Sequence, residues 1–285
     1  MKNVFIIVNY NDFENTYKLI NNIKDYKIID NILVVDNCSI DTSFYKLTDL
    51  NFKKLTILKT ENNNGYSSAI NFAAKYCEKM YKDCNLIISN SDIEIKKEQN
   101  LSDLIKALNE NKETAIIAPK INQHGIISYG WRIPNIFEAL ILNIPKFNKY
   151  YENKFINYNK NYFDKPIKEV EVVSGCFFIM KLSSLIEVNY FDENIFLYYE
   201  ENTISTKLKK INKKIIINTN IEVLHNHSQT INKNFNEYKK LKELKISQYY
   251  FYKYIKKTNK LLLGLLKISN NIILKIKKVK VGAKN

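Results

Sequence analysis

The chain has 285 residues, of which 45% are hydrophobic, and its formal net charge is +15. This composition excludes a disordered chain, and no apolar run reaches the roughly 18 residues of a membrane-spanning helix. Arg132 is the only arginine, which argues against a sequence-specific nucleic-acid partner and favours anionic substrates or an anionic membrane surface.

The first part of the chain alternates apolar strands with helices. We predict strands at Val4–Val8, Ile32–Val35, Leu55–Leu58, Leu86–Ser89 and Ala115–Ala118, and helices at Phe13–Ile23, Ser67–Met80 and Leu101–Leu108. Short continuous apolar runs separated by helices are typical of a mainly parallel sheet covered on both faces. The predicted fold class is therefore α/β.

Residues 120–168 are punctuated by glycine and proline, which predicts a loop region over a site. A strand at Val170–Met180, helices at Leu182–Val188 and Tyr199–Ile211, and strands at Ile215–Ile217 and Ile221–Leu224 follow. The chain then becomes basic, aromatic and amphipathic. We therefore divide it into a catalytic domain, 1–233, with halves 1–118 and 119–233, and a basic amphipathic helical tail, 234–285.

The cysteines and the N-terminal residues indicate in which cellular compartment the protein resides. The four cysteines, Cys38, Cys77, Cys84 and Cys176, form no C-x-x-C pair, so we expect free and mostly buried thiols in a reducing compartment. The first strand begins almost at once, without the pattern of a signal peptide. Together these features predict a cytoplasmic protein.

An acidic turn follows the buried strand Leu86–Ser89. Because alternate residues of an extended backbone point the same way, Asn90, Asp92 and Glu94 would offer oxygen atoms to one point. Such clusters suit a hard divalent cation that also holds substrate phosphates. A solvated loop after a strand is the alternative.

Two further polar turns follow strands. Asp36 and Asn37 end the second strand, where a carboxylate accepts hydrogen bonds from a nucleoside or simply closes the strand. The turn containing Asn64 and Gly65 enters a helix, whose N-terminus attracts phosphate. The chain has neither a G-x-G-x-x-G nor a Walker A motif, which argues against a dinucleotide fold and a P-loop.

The second half of the chain contains further candidate site residues. Glu200 and Glu201 open a predicted helix, where the helix dipole alone favours acids. Neighbouring helix residues point about 100° apart, so we expect only one to face a pocket. Gly175 lies inside the predicted strand Val170–Met180 and marks either a close approach or simple packing. His225 follows the last strand, and neutral imidazole is a common metal ligand.

In this order, these pieces resemble the family-2 glycosyltransferases with the GT-A fold, and most closely the rhamnosyltransferase-like bacterial enzymes of surface polysaccharide synthesis. The resemblance spans roughly residues 3 to 255 and rests on Val8–Asn11, Val34–Asp41, Asn63–Tyr66, Asn71, Asn90–Asp92, Pro119, Gly125, Pro134, Val173–Cys176, Phe191–Glu193, Phe196–Glu201 and His225.

The resemblance implies an inverting transfer from a nucleotide-diphosphate sugar to a glycan or lipid-linked glycan, with a divalent metal, Mn or Mg. Asp36 would hold the nucleotide base with Asn9 beside it. The other implied donor-binding residues are Asn37, Asn64, Gly65, Asn90 and Ser91.

The implied metal site and base depart from the family pattern. Asp92 matches the metal-binding acid of the D-x-D element, whose first acid is replaced here by Asn90. Glu94 would compensate, and His225 matches a position near the metal in some relatives. Glu201 matches the general base, where the family has aspartate, and Glu200 is the alternative base.

We expect the two parts of the basic tail to behave differently. We expect Gln248–Ile255 to dock on the domain and Leu261–Lys280 to lie on the anionic inner face of a membrane. The competing functions are a nucleotidyltransferase of related sheet topology and a catalytically decayed interaction protein of glycan assembly. The Gly-rich basic signature expected of a nucleotidyltransferase near its first strand is missing from Val8–Asn11.

Overall fold

The computed structural model describes residues 1–145, 147–226 and 236–282. Within these residues, ten strands form one sheet. The strands are β1 (Lys2–Asn9), β2 (Asn31–Asp36), β3 (Leu55–Lys59), β4 (Cys84–Asn90), β5 (Ile93–Glu94), β6 (Thr114–Gln123), β7 (Ile126–Ser128), β8 (Ile167–Glu169), β9 (Phe177–Lys181) and β10 (Lys214–His225). The helices are α1 (Phe13–Ile23), α2 (Ser43–Thr48), α3 (Tyr66–Tyr81), α4 (Glu98–Glu110), α5 (Ile136–Ile141), α6 (Asn148–Tyr151), α7 (Leu182–Glu187), α8 (Glu200–Lys210), α9 (Glu237–Tyr250) and α10 (Lys260–Gly282).

Six of the ten strands run in the same direction, as predicted for a mainly parallel sheet, and β5, β7, β8 and β9 run antiparallel to them. The strand order is β3-β2-β1-β4-β9-β6-β10-β5, with β7 on β6 and β8 on β10. β1 to β4 run parallel, β9 runs antiparallel between β4 and β6, and β6 is parallel to β10. The carboxyl ends of β1, β2 and β4 therefore meet the start of β9 at one edge, where open α/β sheets place ligands.

Both faces of the sheet are buried, which explains the continuous apolar runs. In β1, Val4 and Ile6 pack into one core cluster, whereas Phe5 and Ile7 pack into the other, and all four are fully buried. Helices α3, α7 and α8 contribute to the first cluster, and α1 and α4 contribute to the second. All four cysteines are free thiols, and three of them are buried.

Two strand predictions need correction. The predicted strand Val170–Met180 is correct only over Phe177–Met180, because the chain leaves the sheet after β8 and returns at Phe177. In between, Val172 pairs with Trp131 in an isolated bridge, and the N–H of Gly175 is bonded to a side chain. The two strands predicted at Ile215–Ile217 and Ile221–Leu224 are one strand, β10, with an irregular register between Asn218 and Glu222.

The two tail helices dock on the rest of the chain. Phe251 and Tyr252, after α9, pack with Leu263 and Leu266 of α10 and with Ala139 of α5 in a third buried cluster. Docking of Gln248–Ile255 was expected, whereas the buried contacts of α10 were not. Residues 234, 235 and 283–285 of the predicted tail lie outside the described residues. None of the helices in the described ranges is both long and apolar enough to cross a bilayer.

Candidate functional site

A pocket of about 250 Å³ opens at the carboxyl edge of the sheet, beside the first turn of α8. We call it the sheet-edge pocket. Most of the predicted site residues line it: Asn37, Gly65, Asn90, Ser91, Asp92, Glu200, Glu201 and His225. Four do not: Asn9, Asp36, Asn64 and Glu94. Residues that are distant in the sequence are thus brought to one place by the strand ends.

Asp92 and His225 form a close pair in this pocket. β5 pairs with β10 so that Ile93 lies opposite His225, and the His225 Nε2 atom is 3.1 Å from Oδ1 of Asp92. Burial alone would lower the pKa of His225, but the interactions with Asp92 and Cys176 outweigh it and raise this pKa to about 10. The carboxylate of Asp92 therefore favours the protonated form of the imidazole.

The donor set of the pocket fits a metal only in part. Among the described residues, no group of three or more His, Cys, Asp or Glu side chains is placed to hold a metal ion. Asp92 and His225 supply one carboxylate and one imidazole, and Asn90 supplies an amide beside them. Mg²⁺ commonly takes one or two carboxylates and completes its shell with water and substrate phosphates. The residues therefore fit a cation held jointly with a phosphate-bearing substrate.

Glu94 does not line the sheet-edge pocket with Asn90 and Asp92. The chain stops being extended after Asn90 and turns at Ser91 and Asp92 before β5 begins, so the alternation of an extended strand no longer applies. Glu94 is exposed and lines a neighbouring depression with residues of α1, and Ser91 and Asp92 line that depression as well. Asn90 and Asp92 thus share the sheet-edge pocket, whereas Glu94 meets Asp92 only at the neighbouring depression.

Asp36 and Asn9 lie behind the pocket rather than in it. Asp36 is fully buried. Its Oδ2 accepts from Nδ2 of Asn9 at 2.8 Å and from Oγ of Ser39 at 2.7 Å, and its Oδ1 accepts from the N–H of Ser39 at 3.0 Å. These bonds hold the loop that carries Asn37, whose Nδ2 donates to Oδ1 of Asn63 at 3.0 Å. Asp36 thus supports the pocket rim in this structure.

The turn before α3 is bonded to the segment before α8. Gly65 has a φ of +95°, and a Cβ atom there would lie 2.2 Å from the carbonyl oxygen of Phe196. Only glycine tolerates both conditions. The N–H of Tyr66 donates to that same oxygen at 3.1 Å. Asn63 lines the pocket where Asn64 was expected, and a run of three asparagines gave no signal to separate them.

Both glutamates at the start of α8 line the pocket, although only one was expected to. Tyr198 and Tyr199 each have a left-handed φ of 67°, so α8 meets the pocket with its first turn. Glu200 is 7% exposed, and its Oε2 has no hydrogen-bond partner among the described residues. Burial, and then the charge of Glu201, raise the pKa of Glu200 well above its ordinary value.

Glu201 is held differently. Its Oε1 accepts from the N–H of Gly175 at 3.1 Å. Burial raises the pKa of Glu201, although the backbone hydrogen bonds that it accepts oppose this shift. A carboxylate with a raised pKa and a fixed orientation is suited to accept a proton near neutral pH.

Glu201 also lines a second, larger cavity of about 570 Å³. We call it the helix-hairpin cavity, because α9 and α10 form one wall, opposite Trp131, parts of 142–145 and 148–157, and the first turn of α8. The indole Nε1 of Trp131 donates to Oδ1 of Asn202 at 3.0 Å, next to Glu201. Sequence reasoning missed this cavity and Trp131, since only tertiary packing brings these segments together. It also missed Tyr10, which lines the sheet-edge pocket inside the quoted stretch Val8–Asn11.

Two solved structures are similar in fold. The mannosyltransferase PcManGT from Pyrobaculum calidifontis, solved with GDP-Man and Mn²⁺, matches with a TM-score of 0.58 and 14% identity over 99% of this chain and 74% of that chain. S. aureus TarS 1-349 matches with a TM-score of 0.54 and 16% identity over 89% of this chain and 72% of that chain. At these identities the likeness shows the fold, and it agrees with the predicted GT-A type.

Sequence comparisons point to one family. The low-salt glycan biosynthesis hexosyltransferase Agl10 of Haloferax volcanii is 24% identical over 230 residues, which are 78% of this chain and 66% of that protein. This chain thus spans just under two thirds of that relative's length. The family model described as "Glycosyl transferase family 2" matches residues 4–188. That range is more than half of the chain, and the protein therefore belongs to glycosyl transferase family 2.

Proposed function

We propose that this protein is an inverting, metal-dependent glycosyltransferase that moves a sugar from a nucleotide-diphosphate donor to a glycan or lipid-linked glycan. One observation carries the proposal. Asp92, His225 and Glu201 all line the sheet-edge pocket, and Glu201 alone of the three also lines the helix-hairpin cavity. A cation site for the leaving diphosphate, together with a base that also reaches a second cavity for the acceptor, suits displacement with inversion at an anomeric carbon.

The donor would occupy the sheet-edge pocket. Asn37, Asn63 and Tyr10 give it a polar and aromatic wall suited to a nucleoside, with Asn9 and Asp36 fixing that wall from behind. The N-terminus of α3 begins directly after Gly65, and its dipole favours donor phosphates nearby. The bound donor of the Pyrobaculum mannosyltransferase supports the assignment to a nucleotide sugar.

Asp92 and His225, with Asn90 beside them, would hold Mn²⁺ or Mg²⁺. When bound, the cation would supply charge stabilisation to the departing diphosphate. Asp92 presents its carboxylate from a buried turn. His225 would bind the cation as a neutral imidazole, so metal binding would compete with the protonation that Asp92 favours. Mn²⁺ in the Pyrobaculum structure supports a divalent cation in this fold.

Glu201 would act as the general base. The N–H of Gly175 fixes its carboxylate at the boundary of the two cavities. An acceptor hydroxyl in the helix-hairpin cavity would pass its proton to Glu201 while its oxygen attacks the sugar. Glu200 also lines the donor side and is the competing base, but it does not line the helix-hairpin cavity.

Helix α10 would place the protein on the cytoplasmic face of a membrane. Its outer surface carries an apolar stripe with one residue per turn, each at least 40% exposed: Leu261, Leu265, Ile268, Ile272, Ile276 and Val279. The exposed Lys260, Lys267, Lys275 and Lys278 lie on the same helix. An apolar stripe with lysines around it complements an anionic bilayer surface.

Nucleotide binding separates these proposals from the alternatives. Membership of family 2 argues against the nucleotidyltransferase, whereas the replacements at Asn90 and Glu201 keep a decayed protein as the second candidate. Thermal unfolding with a panel of nucleotide sugars, with and without Mn²⁺, tests this directly. We expect at least one nucleotide sugar to raise Tm only when Mn²⁺ is present. A decayed protein would show no such shift and no Mn²⁺-dependent hydrolysis of the donor.

A further inference from the structure

We infer that the helix-hairpin cavity binds an acceptor that carries a phosphate group on an aliphatic chain, and that Lys245 recognises the phosphate. The inference rests on the proposed function, because it assigns the acceptor side of Glu201. Lys245 lies within the span of the family resemblance but is not one of the residues on which that resemblance rests.

Lys245 is a buried cation in the wall of this cavity. It lies on α9, and only 8% of it is exposed. Its Nζ donates to Oδ1 of Asn143 and lies 3.4 Å from Oε1 of Gln248. Both partners are neutral amides, and within the described ranges no carboxylate forms an ion pair with this ammonium. Burial lowers the pKa of Lys245 to about 8. A buried charge without a counter-charge is unfavourable, and an anion in the cavity would remove that cost.

The position of the ammonium is fixed by a network that spans the wall. Asn143 donates through Nδ2 to Oδ1 of Asn270 at 2.8 Å and to Oγ of Ser269 at 3.0 Å. Asn270 in turn donates to the backbone oxygen of Lys245 at 3.3 Å. These bonds tie α9 and α10 to the turn after α5. Neutral amides alone would suffice for such packing, so the positive charge itself points to a ligand.

A second cation lies in the same wall. Lys277 of α10 lines the cavity, and its Nζ is 3.6 Å from a carboxylate oxygen of Glu237, whose side chain is 66% exposed. Glu152 and Glu201 line the same cavity, but within the described ranges neither forms an ion pair with Lys245. The deeper ammonium is therefore the one available to a phosphate.

The rest of the wall is largely apolar. Leu241, Leu244, Ile273 and Ile276 line the cavity, and Ile276 also belongs to the exposed stripe of α10. The apolar wall is thus continuous with the surface that we propose lies on a bilayer. An aliphatic chain attached to the phosphate would follow this wall, while Trp131 and Glu201 would face the hydroxyl that receives the sugar.

The single tryptophan gives a direct test with the full-length protein. Trp131 is the only tryptophan and lines the cavity, so its emission reports occupancy. We would titrate decyl phosphate below its micelle concentration, and decanol and inorganic phosphate in parallel. We expect the Trp131 emission to change saturably with decyl phosphate. The half-saturating concentration should be at least about tenfold lower than that of decanol or of inorganic phosphate, a ratio that corresponds to roughly 1.4 kcal/mol.

Variants sharpen the test. Lys245→Met should weaken decyl phosphate binding about tenfold, the scale of one charge-assisted hydrogen bond, and should leave decanol binding unchanged. Lys242→Met is the matched control, because Lys242 is exposed on the same helix and does not line the cavity. Lys245→Met that binds decyl phosphate as tightly as the control overturns the role of Lys245.

The wild-type titration decides the matter even if Lys245→Met does not fold. If the Trp131 emission does not change with decyl phosphate, or changes equally with decanol, the phosphate site is contradicted. An equal response to inorganic phosphate contradicts the aliphatic part. Nucleotide-dependent Tm shifts are measured separately, so decyl phosphate binding without any nucleotide effect would count against the proposed function and not against this site.

Discussion

Gly175 and Glu201 are fitted to each other at the boundary of the two cavities. The N–H of Gly175 donates to Oε1 of Glu201 at 3.1 Å, and a Cβ atom at position 175 would lie 2.4 Å from the same oxygen. Any side chain there must displace the carboxylate, so position 175 requires glycine for contact with Glu201.

We therefore predict that Gly175→Ala lowers kcat for sugar transfer by about tenfold or more, because a displaced base loses much of its catalytic contribution. Donor affinity should change little. Gly264→Ala is the control, since nothing lies within 4 Å of a Cβ atom there and alanine favours a helix. Equal turnover by the two variants would contradict the fit.

Replacing Glu201 should separate binding from chemistry. We predict that Glu201→Gln keeps donor affinity and lowers transfer by roughly 10²-fold or more, the usual scale for a positioned base. Burial raises the pKa of Glu201, and the base must be ionised. Wild-type kcat should therefore rise with pH through a pKa above that of an ordinary glutamate, and the variant should lose this acidic limb. The same behaviour in Glu200→Gln instead would assign the base to Glu200.

The chain's apolar patterns predicted most of the scaffold and only part of the site. β1, β2 and β4 were recognisable because burial on both faces requires continuous apolar runs, and Asp92 was recognisable because it follows such a run. The hydrogen bonds from Asn9 and Ser39 to Asp36 were not recognisable from the sequence, because they depend on the tertiary structure. The pairing of Trp131 with Val172, which breaks a predicted strand, has the same origin.

The buried carboxyl group of Glu200 should lower the free energy of unfolding at neutral pH. Burial raises the folded pKa of Glu200 above the unfolded value. Its contribution to stability is therefore full below the unfolded pKa of about 4.3 and is lost as pH rises through the folded pKa. We predict that Glu200→Gln is more stable than wild type at pH 7.5 by about 1 kcal/mol, with the difference vanishing near pH 4.

Urea unfolding in metal-free buffer at both pH values measures this effect. Glu110→Gln, at an exposed position of α4, is the control and should stay within about 0.5 kcal/mol of wild type. A Glu200→Gln variant that is no more stable than the control at pH 7.5 would refute the prediction.

The apolar stripe of α10 should carry membrane binding. Removing α10 would also remove Leu263 and Leu266 from the core, so point substitutions are the better test. We predict that the combined Leu265→Gln, Ile268→Gln and Ile272→Gln variant stays folded, because all three residues are exposed. Its affinity for anionic liposomes, measured by sedimentation, should fall at least tenfold, since each aliphatic side chain contributes about 1.5 kcal/mol or more when buried.

Ile40→Gln combined with Ile126→Gln is the control, because both residues are exposed far from α10 in the sequence. Wild-type binding should also weaken with added salt, since lysines near an anionic surface contribute about 1 kcal/mol each. Equal sedimentation of the stripe variant and the control at low salt would show that this face does not meet the bilayer.

The central claim is that Asp92 and His225 hold a divalent cation together with a nucleotide-diphosphate donor. Calorimetric titration of the donor identified by thermal unfolding, with and without Mn²⁺, tests it most directly in wild type, Asp92→Ala and Glu94→Ala. We predict that wild type and Glu94→Ala bind the donor only with Mn²⁺, because Glu94 lies outside the sheet-edge pocket, and that Asp92→Ala loses this binding. A correctly folded Asp92→Ala variant with unchanged Mn²⁺-dependent affinity would contradict the account.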